Sequence, residues 1–299
     1  MTQHPPDSSE PASEAGFSVV IPAFNEEDGI VPALRQLKDA LRGVTRPYEI
    51  IVVDDGSTDR TAERALSEDV QVIQAPTNRG YGASLKTGIR AARYDILVIT
   101  DADGTYPPES IPKLVEQTKT FEMVVGARVG AQVAIPLSRR PAKWFLGKLA
   151  SYLAGQKIPD LNSGLRAMRR ELVERYEHLL PSGFSFTTTI TLSALCRDHL
   201  VQYETIDYHP RTGDSKIRPR HAFDFLLLII RTIVYFNPLK VFLPVGFLFF
   251  LAGAAKLAYD LTNGNLSEGA IFSLLSAGLV WTVGLLSDQI SRVGMRPNS

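Results

Sequence analysis

From residue 17 to residue 128 the chain alternates short, nearly unbroken apolar runs with longer stretches of helical spacing. The apolar runs are FSVVIP (17–22), YEIIVVD (48–54), residues 70–74, DILVITD (95–101) and FEMVVGAR (121–128). Between them lie NEEDGIVPALRQLKDALRG (25–43), DRTAERALSE (59–68), YGASLKTGIRAARY (81–94) and PESIPKLVEQTK (108–119). Continuous β-branched runs belong to strands covered on both faces, whereas a strand with one wet face alternates. The pattern predicts an α/β domain with a mainly parallel, Rossmann-like sheet. In such sheets ligands gather at the carboxyl ends of the strands.

After residue 128 the rhythm changes. Residues 139–153 read as an amphipathic helix carrying Lys143, Trp144 and Lys148. DLNSGLRAMRRELV (160–173) reads as turn, strand and helix, 184–195 as a helix, 201–209 as a strand and RTGDSKIRPR (211–220) as a polar loop. HAFDFLLLIIRTIVYF (221–236) interrupts an apolar body with Asp224 and Arg231, as a helix lying in a membrane interface does. Residues 240–261 and 270–286 are each long and apolar enough to cross a bilayer, which needs about 20 residues. Their link (Asp260, Asn263, Asn265, Glu268) has no Lys or Arg, while Lys240, Arg292 and Arg296 flank the outer ends. The positive-inside rule then places both ends and the α/β domain in the cytoplasm, at the plasma membrane in a bacterium. Gly253, Ala254, Gly278 and Gly284 would permit close helix packing, within the chain or in a homo-oligomer.

The expected organisation is a disordered tail (1–16), an α/β domain (17–220), an interfacial helix (221–238), two transmembrane helices (239–291) and a cytoplasmic tail (292–299). The first sixteen residues hold Pro, Ser and Glu and no apolar stretch, so they are not read as a signal peptide. Lys and Arg number 32 against 32 Asp and Glu, without the basic surplus of a nucleic-acid binder. The single cysteine, Cys196, excludes an intrachain disulfide and is expected to be a small buried apolar residue.

Three apolar runs end in polar residues that carry chemistry. Asp101-Ala102-Asp103 follows DILVIT, and two carboxylates two residues apart in such a loop can turn to one point. With diphosphate oxygens they form a hard donor set suited to Mg²⁺ or Mn²⁺. Asp54-Asp55-Gly56-Ser57-Thr58-Asp59 follows IIVV and can hold a nucleobase or ribose, while Ser57 or Asp59 can equally cap the next helix. Pro22-Ala23-Phe24-Asn25-Glu26-Glu27 ends the first run, with Asn25 a candidate cap and the glutamates favourable at a helix start. Gly80 and Gly82 in NRGYGAS lack a following Gly-Lys-Ser/Thr and read as a tight turn before a helix, not a phosphate loop.

The succession PAFNEE, DDGSTD, NRGYGASLKTGI and DADG resembles the inverting family 2 glycosyltransferases of GT-A fold, over about residues 17–220. Within them, Val125-Gly126-Ala127-Arg128, Asn162-Ser163-Gly164-Leu165-Arg166 and Arg211-Thr212-Gly213-Asp214-Ser215-Lys216 resemble the dolichol- or polyprenyl-phosphate hexose synthases. The resemblance implies that Asp101 and Asp103 bind the metal and, with Arg128, form the catalytic set. It implies that Pro22, Phe24, Glu26, Asp54, Asp55, Ser57 and Ala102 join the two aspartates in holding the nucleotide sugar. Arg211 and Lys216 would close on the donor diphosphate, and Arg128, Arg139 and Arg140 would take the acceptor phosphate. The chain departs from the pattern at Thr105, where a glutamine often follows the two aspartates, and at Phe24, where a tyrosine is common.

The implied activity is inverting transfer of a hexose from a UDP- or GDP-linked donor to undecaprenyl or dolichyl phosphate at a bilayer. Two alternatives predict other features. A processive polysaccharide synthase would carry QxxRW, and the nearest string, Gln289-Ile290-Ser291-Arg292, has no tryptophan. A silent nucleotide-sugar-binding membrane scaffold would have no need of the intact Asp101, Asp103 and Arg128.

Overall fold

The computed structural model describes residues 16–128, 140–207, 220–264 and 266–294. Its contacts divide the chain into two compact units. The first comprises residues 1–135, 159–190 and 199–216, and the second residues 136–158, 191–198 and 217–299.

The first unit is built on a seven-stranded sheet. Its strands are β1 (Phe17–Ala23), β2 (Tyr48–Asp54), β3 (Gln71–Gln74), β4 (Ile96–Ile99), β5 (Met123–Ala127), β6 (Arg166–Arg169) and β7 (Val201–Thr205), in the order β3-β2-β1-β4-β6-β5-β7. All pairings are parallel except those of β6, which runs antiparallel to β4 and β5. The mainly parallel sheet expected from the apolar runs is therefore present, and all seven residues of β1 are buried.

Helices α1 (Ile30–Leu41), α2 (Thr61–Leu66), α3 (Tyr81–Ala91) and α4 (Ile111–Gln117) connect the first five strands. Ile30, Leu34, Leu37 and Leu41 recur on one face of α1 and enter the core with Phe17, Val19, Val52 and Val98. Burying four such side chains stabilises the unit by about 1.5–3 kcal/mol each. Helix α3 starts after Gly80, whose φ of 99° is open to glycine and strained for other residues. A Cβ on the next-but-one residue, Gly82, would stand 2.2 Å from the Pro181 carbonyl oxygen. The two glycines thus serve a tight, closely packed helix start.

Asn25, considered as a cap for α1, does not cap it: the helix begins after Gly29 without a side-chain cap. Asn25 has φ 52° and its Oδ1 instead accepts the Thr58 N–H at 2.9 Å. Asp59 does serve the start of α2, its Oδ1 accepting the Thr61 N–H at 3.0 Å.

The second unit holds α5 (Arg140–Ala154), α8 (Arg220–Phe236), α9 (Leu239–Thr262) and α10 (Glu268–Gly294). Helices α6 (Arg170–Tyr176) and α7 (Phe186–Leu195) complete the chain order. Helices α9 and α10 are long and apolar enough to cross a membrane and form an antiparallel hairpin. A Cβ on Gly246 would meet Trp281, on Gly253 Leu274, and on Gly284 Phe242, so these glycines mark the contact line. Trp281 Nε1 donates to the Leu243 carbonyl at 3.2 Å, and Ser273 Oγ to that of Phe249 at 2.8 Å. Outward lie Leu248, Phe272, Leu275, Leu279 and Ile290, all exposed. Cys196, expected buried, is only half-buried.

Candidate active site

The sheet register brings three loops to one edge. Ala23 lies opposite Asp54 on β2, and Val20 opposite Ile99 on β4, so the parallel strands β1, β2 and β4 send their carboxyl ends to one edge, β4 stopping three residues short of β1. The loops after β1 and β2 are laced by reciprocal bonds. The Asn25 N–H donates to Ser57 Oγ (2.9 Å), the Glu26 N–H to Thr61 Oγ1 (2.8 Å) and the Glu27 N–H to Asp59 Oδ2 (3.2 Å). In return Glu27 Oε2 accepts the Arg60 N–H at 3.1 Å. Each bond satisfies a backbone group near the sheet edge, and together they fix a wall made from two distant segments.

Within that wall the two neighbouring aspartates are used differently. Asp55 Oδ1 accepts the Arg79 N–H at 2.9 Å and Oδ2 the Gly80 N–H at 2.8 Å, which ties down the loop before α3. Asp54 is 4% exposed; its Oδ2 faces the Ser57 N–H at 3.4 Å, and its Oδ1 has no hydrogen-bond partner among the described residues. A buried carboxylate oxygen without a donor is costly unless a ligand supplies one. Pro22 is buried, and Phe24 and Glu26 half-buried, beside it.

The third loop carries Asp101, Ala102 and Asp103, with Ala102 buried and both aspartates half-buried. Asp103 Oδ1 accepts the hydroxyl of Thr105 at 2.7 Å and its N–H at 3.2 Å. Thr105, the departure from the usual glutamine, is thus a buried anchor for the second aspartate. Asp101 Oδ1 accepts the Tyr81 hydroxyl at 3.0 Å. A Cβ on Gly164 would come within 2.9 Å of both Asp101 oxygens, so only glycine allows that approach. The Gly164 N–H donates to the Tyr106 hydroxyl at 2.6 Å. Burial, and next the Asp101 charge, push the Tyr81 and Tyr106 hydroxyls well above the ordinary tyrosine pKa, so both stay protonated. Asp101 and Asp103 are a hard oxygen pair whose chemistry fits a divalent cation. Among the described residues no cluster of three or more His, Cys, Asp or Glu forms a metal cage.

Arg128 follows β5. Its Nε donates to Asp160 Oδ2 at 2.6 Å and its Nη2 to Oδ1 at 2.9 Å, while its backbone N–H reaches Oδ2 at 3.1 Å. Asp160 also accepts the Asn162 N–H at 3.1 Å. Burial works against the Asp160 charge, but the Arg128 fork and these N–H groups outweigh it and hold its pKa below the ordinary value. The same 160–166 segment places Ser163, whose hydroxyl donates to the Gly126 carbonyl at 2.5 Å, and Arg166. Arg166 is fully buried beneath the site, its Nη1 donating to the Thr187 carbonyl at 3.1 Å and its Nε to that of Ser163 at 3.2 Å.

Of the residues read from the sequence, Pro22, Phe24, Glu26, Asp54, Asp55, Ser57, Asp101, Ala102 and Asp103 gather on the three loops that end β1, β2 and β4. Arg128 joins the site through the 160–166 segment. Arg139, Arg211 and Lys216 lie outside the described residues, and Arg140 is described only as the first residue of α5. Sequence reasoning gave no part to Tyr81, Tyr106, Asp160 and Gly164. The third of the recognisable strings contains Tyr81 and the fourth precedes Tyr106, but their pairing with the aspartates depends on strand register.

Residues 18–177 match Glycosyl transferase family 2, and residues 237–293 match the GtrB C-terminal hairpin. The undecaprenyl-phosphate 4-deoxy-4-formamido-L-arabinose transferase of Pseudomonas fluorescens (strain Pf0-1) is 30% identical over 281 residues, covering 88% of this chain and 75% of that protein. The dolichol-phosphate mannosyltransferase of Pyrococcus furiosus is 34% identical over 232 residues, covering 72% of this chain and 62% of that protein. Among solved structures, glucosyl-3-phosphoglycerate synthase from Mycobacterium tuberculosis with phosphoglyceric acid superposes with a TM-score of 0.57 at 26% identity, covering 73% of this chain and 80% of that one.

Proposed function

Because the chain belongs to glycosyl transferase family 2, we propose that it transfers a hexose from a nucleotide sugar to a polyprenyl phosphate at a membrane. The observation that carries the reading is the convergence of Asp54, Asp101 and Asp103 on one sheet edge, beside an Arg128–Asp160 pair, in a chain that also bears an apolar hairpin. The relatives named for undecaprenyl phosphate and dolichol phosphate as acceptors support that acceptor class.

The partnerless Asp54 oxygen accepts an N–H or O–H from the nucleoside, with Pro22, Phe24 and Glu26 alongside. Asp101 and Asp103 hold Mg²⁺ or Mn²⁺, which when bound offsets charge developing on the departing nucleoside diphosphate. An oxygen of the acceptor phosphate forms the new bond to the anomeric carbon. The bond from that carbon to the donor diphosphate breaks, its electron pair leaves with the nucleoside diphosphate, and the carbon inverts. A phosphate oxygen is already anionic at neutral pH, so the protein's work is positioning and charge complementarity rather than deprotonation. Arg128, aligned by Asp160, orients the acceptor phosphate together with Arg139 and Arg140, and Arg211 and Lys216 serve the donor diphosphate. The hairpin anchors the chain with its ends on the cytoplasmic side, where the positively charged flanks lie.

The test is transfer of radiolabelled sugar from a panel of UDP- and GDP-sugars to polyprenyl phosphate in detergent, with Mn²⁺, with EDTA and with Asp103→Ala. Label should enter the organic phase with one donor and disappear with EDTA or the variant. Absence of label with every donor, from protein that still binds nucleotide, would overturn the acceptor assignment.

A further inference from the structure

We propose that Tyr81 is a positioning residue for Asp101, fixing the orientation in which that carboxylate receives a divalent cation. The inference rests on the reading of Asp101 and Asp103 as the protein's cation ligands.

Tyr81 comes from a different element than the aspartates, and that element is clamped on two sides. Asp55 holds the N–H groups of Arg79 and Gly80 just before it. The Ser182 carbonyl accepts the Ala83 N–H at 3.0 Å just after it. The ring stacks on Phe184 with centroids 5.4 Å apart and planes 19° apart. The hydroxyl is thereby carried to Asp101, to whose Oδ1 it donates at 3.0 Å. Gly164 backs the same carboxylate, close enough that a Cβ there would stand 2.9 Å from either oxygen. A carboxylate on a loop can rotate about its χ angles. This one is held between a donor on one element and a glycine backbone on another.

The chemistry suits the task. A neutral phenol donates one hydrogen bond to a ligating carboxylate without adding a positive charge to compete with the cation, as outer partners of metal ligands do elsewhere. Phenylalanine would preserve the ring and its stack and lose only the donor. Asp103 has its own counterpart in Thr105, whose hydroxyl donates at 2.7 Å. Each aspartate of the pair therefore accepts from a neutral hydroxyl, one local in sequence and one brought by α3.

The experiment compares full-length wild type, Tyr81→Phe and Phe184→Ala in detergent with UDP or GDP present, titrating Mn²⁺ and reading the free-ion signal by electron paramagnetic resonance. Tyr81→Phe should bind Mn²⁺ about tenfold more weakly with its thermal midpoint near wild type. Phe184→Ala, which keeps the hydroxyl, should bind within about threefold of wild type, well short of that loss. In an Asp101→Asn background the Tyr81→Phe effect should vanish. Wild-type affinity in Tyr81→Phe, or an equal loss in Phe184→Ala, would overturn the role of the hydroxyl. Absence of Mn²⁺ binding by the wild type would instead overturn the metal reading of Asp101 and Asp103, and this inference with it.

Discussion

Arg128 and Asp160 are 32 residues apart and joined by two side-chain hydrogen bonds in a largely buried setting, with side chains 19% and 6% exposed. Removing one partner of such a pair strands the other charge away from water, at a cost of about 3–5 kcal/mol. Asp160→Asn should therefore lower stability by roughly 3 kcal/mol in a denaturant titration, and lower transfer activity as Arg128 loses its alignment. The pH dependence has a definite sign. The Asp160 pKa is lower in the folded than in the unfolded chain. Its contribution is thus full above the unfolded value, about pH 4, and is lost as pH falls through the folded value. The stability gap between wild type and Asp160→Asn should be widest near neutrality and close under acid. A gap that persists unchanged in acid would mean that shape, not charge, sets the cost. Arg128 was legible in the sequence through the resemblance of Val125-Gly126-Ala127-Arg128 to the polyprenyl-phosphate hexose synthases. Its partner was not, because no local spacing links positions 128 and 160. The link runs through the β5–β6 register, in which Val125 faces Arg166 and carries the 160–166 segment along.

At the level of elements, strands and their carboxyl ends were read well because burial on both faces leaves an unbroken apolar signature. The single antiparallel strand, β6, was not read as such: RAMR is short, and direction leaves no mark on composition. The helical hairpin shows the same boundary between pattern and packing. Gly253, Gly278 and Gly284 all stand out in the sequence as small residues in apolar helices. Only the structure separates them, since Gly253 and Gly284 face the other helix closely while nothing lies within 4 Å of a Cβ on Gly278. Gly253→Val should therefore force Leu274 and its backbone aside and lower the melting temperature in detergent, by an amount matching the 1–3 kcal/mol typical of overpacking. Gly278→Val, on the open face, should melt near wild type. Equal effects would show that these glycines act through helix propensity and not through the hairpin contact.

The whole molecule joins two solvents in one chain, and its charge distribution follows from that. The first unit gathers carboxylates and an arginine at one sheet edge, the edge proposed above for the nucleotide sugar. The second presents Leu248 on α9 and Phe272, Leu275 and Leu279 on α10 outward, a band of exposed apolar side chains on two long helices. A polyprenyl chain is confined to the bilayer, so holding the catalytic unit at that surface replaces a three-dimensional search for the acceptor by a two-dimensional one. Anchoring and chemistry are then carried by different helices and loops and can be lost separately. Lysine at both Leu275 and Leu279 places two charges near the middle of α10, each costing about 2.5–3.5 kcal/mol in a spanning helix. That double variant should be released from membranes by alkaline carbonate, where wild type stays in the pellet. With a short, water-soluble prenyl phosphate as acceptor it should still transfer sugar at close to the wild-type rate. With the long-chain acceptor in vesicles its rate should fall by tenfold or more, if each of the two charges acts as above. Retention of the double variant in the membrane would mean that α10 packs inside the protein and does not face lipid.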